Sequence, residues 1–412
     1  MKERILESKV AAGAVDNLSK DNVLINGAIE IRKGEVQTVK RLICGLLIIG
    51  CIVALLTGCT ANQTNNQNSL SELLTVTELR WEEGTLSMIQ WGAAAPRVFH
   101  LSNGTLIAGC ELAGAIVTMI SYDNGQTWGE EADATFYWDL VCANVNFYQY
   151  GDQLLMAYRA VGYTTEGFYS SLQVSVSTDN GKSWKEHSTI AENLETSGEF
   201  HGIWEPYLGM LNGELTCFYA NDSRSITRLQ NIEYKVWRDG EWTNRTIVSQ
   251  GSSHDSRDGM PVWMQLKNGD YVCVIESSKY RNAGNPFVLQ LLWSADGITW
   301  SEPVDIYRPE TAGSKAAAPG IVELPNGQLV ISFQTDEDVE VKGDQTSVMK
   351  TIISDGSDVC YLTAESFTPA ESVFGEADGG VSNWSGLHYH DGYLYAAAGT
   401  HYGAMGMILP VA

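Results

Sequence analysis

Positive charge is scarce in this sequence. Its 412 residues hold 26 Lys and Arg against 50 Asp and Glu, and the part beyond residue 58 carries 18 against 44, a net charge of −26. Such a surface repels nucleic acid, anionic lipid and polyanionic glycans, so a neutral partner is expected. Histidine is sparse as well: there are seven, with no H-E-x-x-H or comparable metal-binding spacing. No cofactor is expected, although turn carboxylates leave room for a structural Ca²⁺. There is no C-x-x-C pair, and Cys110, Cys142, Cys217, Cys273 and Cys360, most of them inside apolar strand patterns, read as small buried hydrophobes rather than a disulfide or metal framework. Phosphate-binding loops are missing too, since stretches such as "ADGGVSN" lack the strand-to-helix setting that cradles a phosphate.

Long apolar runs are also lacking. "LICGLLIIGCIVALL" has fifteen residues without a charge, short of the roughly 20 that a membrane-spanning helix needs. Preceded by Lys40-Arg41 and followed by Leu56-Thr57-Gly58-Cys59, it reads as the core of a lipoprotein signal peptide over residues 39–58, with Cys59 acylated at the mature N-terminus. Residues 59–75 form a polar tether. Residues 1–38 fit no signal peptide; Lys33-Gly34-Glu35 can be encoded as a ribosome-binding sequence and Val39 as a GTG start, so 1–38 is expected to be a mis-assigned extension. The expected location is the outer face of a bacterial membrane, held by lipid alone.

What is present is a repeat. "MISYDNGQTWGE", "SVSTDNGKSWKE" and "LLWSADGITWSE" share one turn, with degraded copies at "VWRDGEW" and "IISDGSD". The turn aspartates Asp123, Asp179, Asp239, Asp296 and Asp355 are spaced 56, 60, 57 and 59 residues apart. Six further segments, from "HLSNGTLIAGCE" to "HYHDGYLYAAAGTH", place a Gly turn between alternating apolar runs, the pattern of a β-hairpin. Two hairpin signals per period make four strands per unit, which predicts an all-β, six-bladed propeller over residues 76–412 with Asp-box turns. The last hairpin, Leu387 to Ala398, has no Asp turn after it. Residues near Leu73 to Gln90 are expected to supply its closing strands, so that N- and C-terminal strands close the ring. The box residues Asp123, Trp128, Asp179, Trp184, Asp296 and Trp300 are scaffold, because the carboxylate caps its own turn and the indole packs between strands.

With the Gly and Asp turns on one face, the starts of inner strands and the ends of second strands share the other face, around a central funnel. The starts carry Trp91 and Arg97, Asp139 and Asn144, Trp204-Glu205-Pro206, Arg257-Asp258-Gly259-Met260-Pro261, Pro319 and Trp384; the ends carry Glu111, Arg159, Asp222, Glu276, Asp336 and His401. Glu205, wedged between Trp204 and Pro206, and Glu276, ending "YVCVIE", are the candidate catalytic pair, since two carboxyls facing one cavity beside aromatic faces suit glycoside hydrolysis. Trp91, Arg97, Arg159, Trp204, Asp222, Arg257, Asp258 and Trp384 are the candidate substrate-binding residues.

The segments "APRVFHLSNGTLIAG", "IWEPYLGMLNGELTCFYAND", "SRDGMPVWMQLKNGDYVCVIE" and "AAPGIVELPNGQLVISFQTDED" resemble, in order, those of the exo-α-1,5-L-arabinanases of glycoside hydrolase family 93, within the sialidase-like propellers. W-E-P and R-D-G-M-P are the specific motifs. The resemblance implies a retaining exo-enzyme that releases arabinobiose from linear arabinan, with Glu205 and Glu276 catalytic; it leaves open which is the nucleophile, Glu205 being the first choice. "AYRAVG" departs from the family pattern, in which a His follows soon after the Arg. A monomer is expected. Two alternatives stand beside this reading: a sialidase, for which Arg97, Arg159 and Arg257 are available but Pro-Arg-Val replaces Arg-Ile-Pro, and a non-catalytic glycan-binding lipoprotein, which would have no need of a second buried carboxylate.

Overall fold

The computed structural model describes residues 75–411 except 136, 138, 226–228, 343–344 and 376–378. The expected signal peptide, Cys59 and the tether up to residue 74 lie outside the described residues. Among the described residues, no helix is long and apolar enough to cross a membrane.

Six antiparallel sheets succeed one another along the chain as the blades of a propeller. Their innermost strands are Ala94–His100, Val141–Tyr150, Ile203–Leu211, Asp258–Gln265, Ala316–Glu323 and Ser382–His390 in blades 1 to 6. Ring closure corrects one expectation. Blade 6 supplies its own third strand, Gly403–Pro410, and the N-terminal part adds only the outermost, Ser87–Trp91, through pairs such as Ser87 with Gly406. The Gly- and Met-rich "GAMGMILP" lacks the β-branched alternation that would have marked it as a strand.

The core lies between blades. Val262, Val274, Leu289 and Leu291 of blade 4 pack on Ile321, Ile331 and Phe333 of blade 5, and each such side chain contributes about 1.5–3 kcal/mol on burial. The box indoles fill the outer part of these seams: Trp184 Nε1 donates to Thr118 Oγ1 of the preceding blade at 3.3 Å, and Trp128 Nε1 to Ser87 Oγ at the closure, also at 3.3 Å. In the intact boxes the Asp carboxylate caps its own turn, as Asp179 does by accepting from the Ser183 N–H at 2.9 Å. The degraded copy at Asp239-Gly240 is instead a two-residue hairpin, with φ of 54° and 83°. Cys110, Cys142, Cys217 and Cys273 are free and buried, and Cys360 is half-buried.

One backbone feature repeats in all six blades. Each innermost strand slips register near its start, and at the slip Ala95, Asn144, Glu205, Met260, Ala318 and Trp384 take φ between 47° and 57°. A left-handed non-glycine residue costs about 1–3 kcal/mol, and here four of the six stand before a proline (Pro96, Pro206, Pro261, Pro319). The bulge re-aims the side chain and frees an N–H from the ladder. That N–H needs a partner, and supplying it shapes the site.

Candidate active site

Four of the freed N–H groups donate to a side chain from the neighbouring blade. The Asn144 N–H reaches Glu111 Oε1 at 2.8 Å, Met260 reaches Glu205 Oε2 at 3.0 Å, Ala318 reaches Glu276 Oε2 at 3.1 Å, and Trp384 reaches Gln334 Oε1 at 2.6 Å. Glu111, Glu276 and Gln334 stand at one register position of their second strands, opposite Ala94, Gly259 and Ala317. Blade 3 has Ala220 there, opposite Trp204, which cannot reach, and the bulge residue Glu205 itself bonds the next blade. Two glutamates thereby converge on blade 4 from different strand positions.

Arg257 joins them. Its Nη1 lies 2.7 Å from Glu276 Oε1 and its Nη2 3.8 Å from Glu205 Oε1. Glu205 and Glu276 are 8% and 5% exposed, whereas the Arg257 side chain is 32% exposed. Burial raises the Glu205 carboxyl above the ordinary carboxylate range; the Arg257 charge draws it back down, and the Glu276 charge pushes it up again. Burial works against the Arg257 cation, but the two carboxylates outweigh it and raise its pKa. A Cβ at Gly259 would stand 3.1 Å from Gln230 Oε1 and 3.2 Å from both Glu276 Oε1 and Arg257 Nη1, so a larger residue there would press on the ion pair.

The remaining candidates fall into distinct settings. Trp204 is buried, with the Arg159 guanidinium 5.3 Å from its ring centroid. Asp222 is enclosed, accepting from the Trp204 indole N–H and the Gly202 N–H at 2.8 Å each. Asp258, also enclosed, accepts from the hydroxyls of Ser249, Ser256 and Ser277. Asp222 thus orients the motif backbone and the indole, and Asp258 is held among serine hydroxyls; both are buried, which a position along a strand could not tell. Arg97 Nη1 donates to the carbonyls of Pro96 and Trp384, at 2.9 and 2.7 Å, tying blade 1 to blade 6 across the closure. Trp384 lines a cavity of about 300 Å³ with Ala94, Asn383 and His401, and Trp91 is exposed at the same end of the molecule.

Sequence reasoning missed Gln334, although it belongs to the same hairpin position as Glu276, and His201, buried beside Asp222 at 3.6 Å and three residues ahead of Trp204. It also missed Phe200 and Tyr163. Among the described residues, no group of three or more His, Cys, Asp and Glu is placed to hold a metal ion.

Solved structures share this architecture. The α-L-arabinofuranosidase of glycoside hydrolase family 93 from Fusarium graminearum, in complex with arabinobiose, superposes with a TM-score of 0.57 at 16% identity, over 80% of this chain and 94% of that one. The α-L-arabinanase of Penicillium chrysogenum, also complexed with arabinobiose, gives 0.54 at 19% identity over 82% and 98%. The NanB sialidase of Streptococcus pneumoniae gives 0.54 at 9% over 84% and 73%. The chain has the fold of the sialidase-like six-bladed propellers. No family model and no curated protein matches it by sequence. In this propeller fold, the Glu205–Arg257–Glu276 cluster lies at the funnel end of the inner strands, opposite the Gly and Asp turns.

Proposed function

We propose that the protein is a glycoside hydrolase acting on α-1,5-linked L-arabinan, a retaining exo-enzyme that releases arabinobiose. The observation that carries this reading is the pair Glu205 and Glu276, two nearly enclosed carboxyls sharing one guanidinium in different electrostatic settings. Two enclosed carboxyls in unlike settings beside one cation are the equipment for an acid/base and a nucleophile. The resemblance of W-E-P and R-D-G-M-P to family 93, and structural neighbours that bind arabinobiose, support the substrate class.

The contacts favour Glu276 as nucleophile, the reverse of the first choice from sequence: it makes the closer contact with the Arg257 guanidinium, 2.7 Å against 3.8 Å for Glu205, while burial raises the proton affinity of Glu205, which suits an acid/base. Glu276 attacks the anomeric carbon as the glycosidic C–O bond breaks, and Glu205 gives its proton to the departing oxygen. Glu205, now a carboxylate, takes a proton from water, which displaces Glu276 with net retention. A sialidase fits less well, since Arg257 is engaged by two glutamates and Arg97 by two carbonyls, leaving no trio of guanidiniums for an anionic substrate.

Incubation with linear arabinan, branched arabinan and a sialoside tests the reading: arabinobiose should appear from linear arabinan, and its absence together with cleavage of the sialoside would refute it. The reading extends to location, with the enzyme lipid-anchored through Cys59 outside the cell. Cys59→Ala should then lose incorporation of a labelled fatty acid.

A further inference from the structure

Blade 2 is taller than its neighbours. Its second, third and outer strands are Gln153–Tyr163, Phe168–Ser177 and Lys185–Glu195, with 11, 10 and 11 residues, where the corresponding strands of blade 1 have seven each. Arg159 holds the register place of Glu111, so the second strand runs four residues past that point in blade 2 and one in blade 1. Three extra residues raise the wall by roughly 10 Å on the funnel side.

The raised part presents aromatic rings toward blade 3. Alternation puts Arg159, Val161 and Tyr163 on one face of the second strand, where Arg159 lies over Trp204 and Val161 packs on the cluster containing Trp204. Tyr163 meets Phe168 edge-on at 5.4 Å, Phe168 lies 4.3 Å from Phe200, and Phe200 lies 5.3 Å from Trp204, the residue before Glu205. At the outer end these rings are open, with Tyr163 75% and Phe200 43% exposed. The loops that carry them, 164–167 and 196–199, contain Glu166 and Glu199 and no Lys or Arg.

We propose that this aromatic groove between blades 2 and 3 binds the leaving-group side of a neutral polysaccharide, over the sugar units beyond the bond being cut. The proposal rests on the hydrolase reading. Continuity with Glu205 sets the polarity, because the proton donor stands beside the departing oxygen and the chain attached to that oxygen must leave the funnel on its side. Planar rings with exposed faces suit the apolar faces of sugars, and the acidic loops disfavour an anionic chain.

The test compares kcat/KM on linear arabinan with that on a short aryl arabinoside, which does not reach the groove. Tyr163→Ala and Phe200→Ala should each lower the ratio of the two roughly three- to tenfold, through KM for the polymer, from the ~0.5–1.5 kcal/mol of one aromatic contact. Tyr163→Phe should restore it. Tyr150→Ala, an exposed aromatic at the opposite end of blade 2, serves as control and should leave the ratio as it is. Equal losses on both substrates, or an unchanged ratio in both alanine variants, would overturn the groove while the hydrolase stands. Dissociation of a dimer by Tyr163→Ala without a change in the ratio would also overturn it, assigning the face to a second copy. A wild-type protein inactive on both substrates would overturn the hydrolase reading itself.

Discussion

Glu111 and Glu276 occupy the same place in two blades. Each ends the apolar part of a second strand, each stands opposite the residue just before the inner-strand slip, and each accepts the left-handed N–H of the next blade, at 2.8 and 3.1 Å. They differ in company. Glu276 has a guanidinium at 2.7 Å and a second carboxyl, Glu205, on that same guanidinium. Glu111 bonds the backbone, and burial raises its pKa, opposed by the Asn144 N–H and the charges of Arg159 and Arg97. Gln334, at the equivalent position of blade 5, makes the same bond with a neutral amide. The blade repeat therefore supplies the latch, and the proposed chemistry falls where a second acid and a shared cation are added to it.

The largest expected effect breaks the comparison at its chemical end. Glu276→Gln keeps the acceptor for the Ala318 N–H and removes the proposed nucleophile, and Glu205→Gln keeps the acceptor for Met260 and removes the proposed proton donor. Glu205→Gln should reduce turnover of arabinan by ~100- to 10,000-fold, less on an aryl glycoside whose leaving group needs no proton. Glu276→Gln should lose both substrates alike. Steady-state kinetics on the two substrates checks the assignment, and the opposite pattern would exchange the roles.

Much of this pair was legible in the sequence, and the reasons are physical. Gly turns and Asp boxes recur because hairpins demand them, so the period counted the blades and the strand ends located the funnel. Glu205 and Glu276 followed. The shared guanidinium did not, because Arg257 was one of three arginines at strand ends and nothing in its neighbours said which carboxylate it would face. Asp222 and Asp258 were placed by strand position alone, which fixes the end of the molecule and not the direction of the side chain. The six left-handed residues left a trace in Pro96, Pro206, Pro261 and Pro319, but a proline signals a break in pairing without saying that the residue before it will bulge.

A smaller effect sharpens the role of Arg257. Arg257→Met should move the alkaline limb of the pH profile of kcat/KM to higher pH. Without the cation, Glu205 loses the charge that lowers its pKa. A profile unmoved by the substitution would mean that Arg257 does not tune the pair.

Glu205 also leaves a signature in stability. Its carboxyl is raised by folding, so its contribution to stability is fully present below the ordinary carboxylate range and is lost as pH rises through the folded value. Above that, an enclosed charge is carried at a cost. Glu205→Gln should therefore have a higher Tm than wild type at neutral pH, and the difference should shrink as the solution is acidified. Thermal unfolding across pH checks the sign; a variant less stable at neutral pH would place the carboxylate among net stabilising groups.

The smallest effect lies at the latch without chemistry. Glu111→Ala removes the partner of the half-buried Asn144 N–H, which should cost about 1–2 kcal/mol. Glu111→Gln keeps an acceptor at the same reach, as Gln334 does naturally, and should cost about 1 kcal/mol or less; the loss is confined to the countercharge for Arg159 and Arg97. If Glu111 is a latch alone, kcat/KM on arabinan should follow the fraction folded in both variants, in contrast to Glu276→Gln. Denaturant unfolding and kinetics on the same preparations separate the two. A Glu111→Gln protein that is fully folded yet a hundredfold slower would make Glu111 a third member of the catalytic group, and the division between latch and chemistry would then fall elsewhere in the ring.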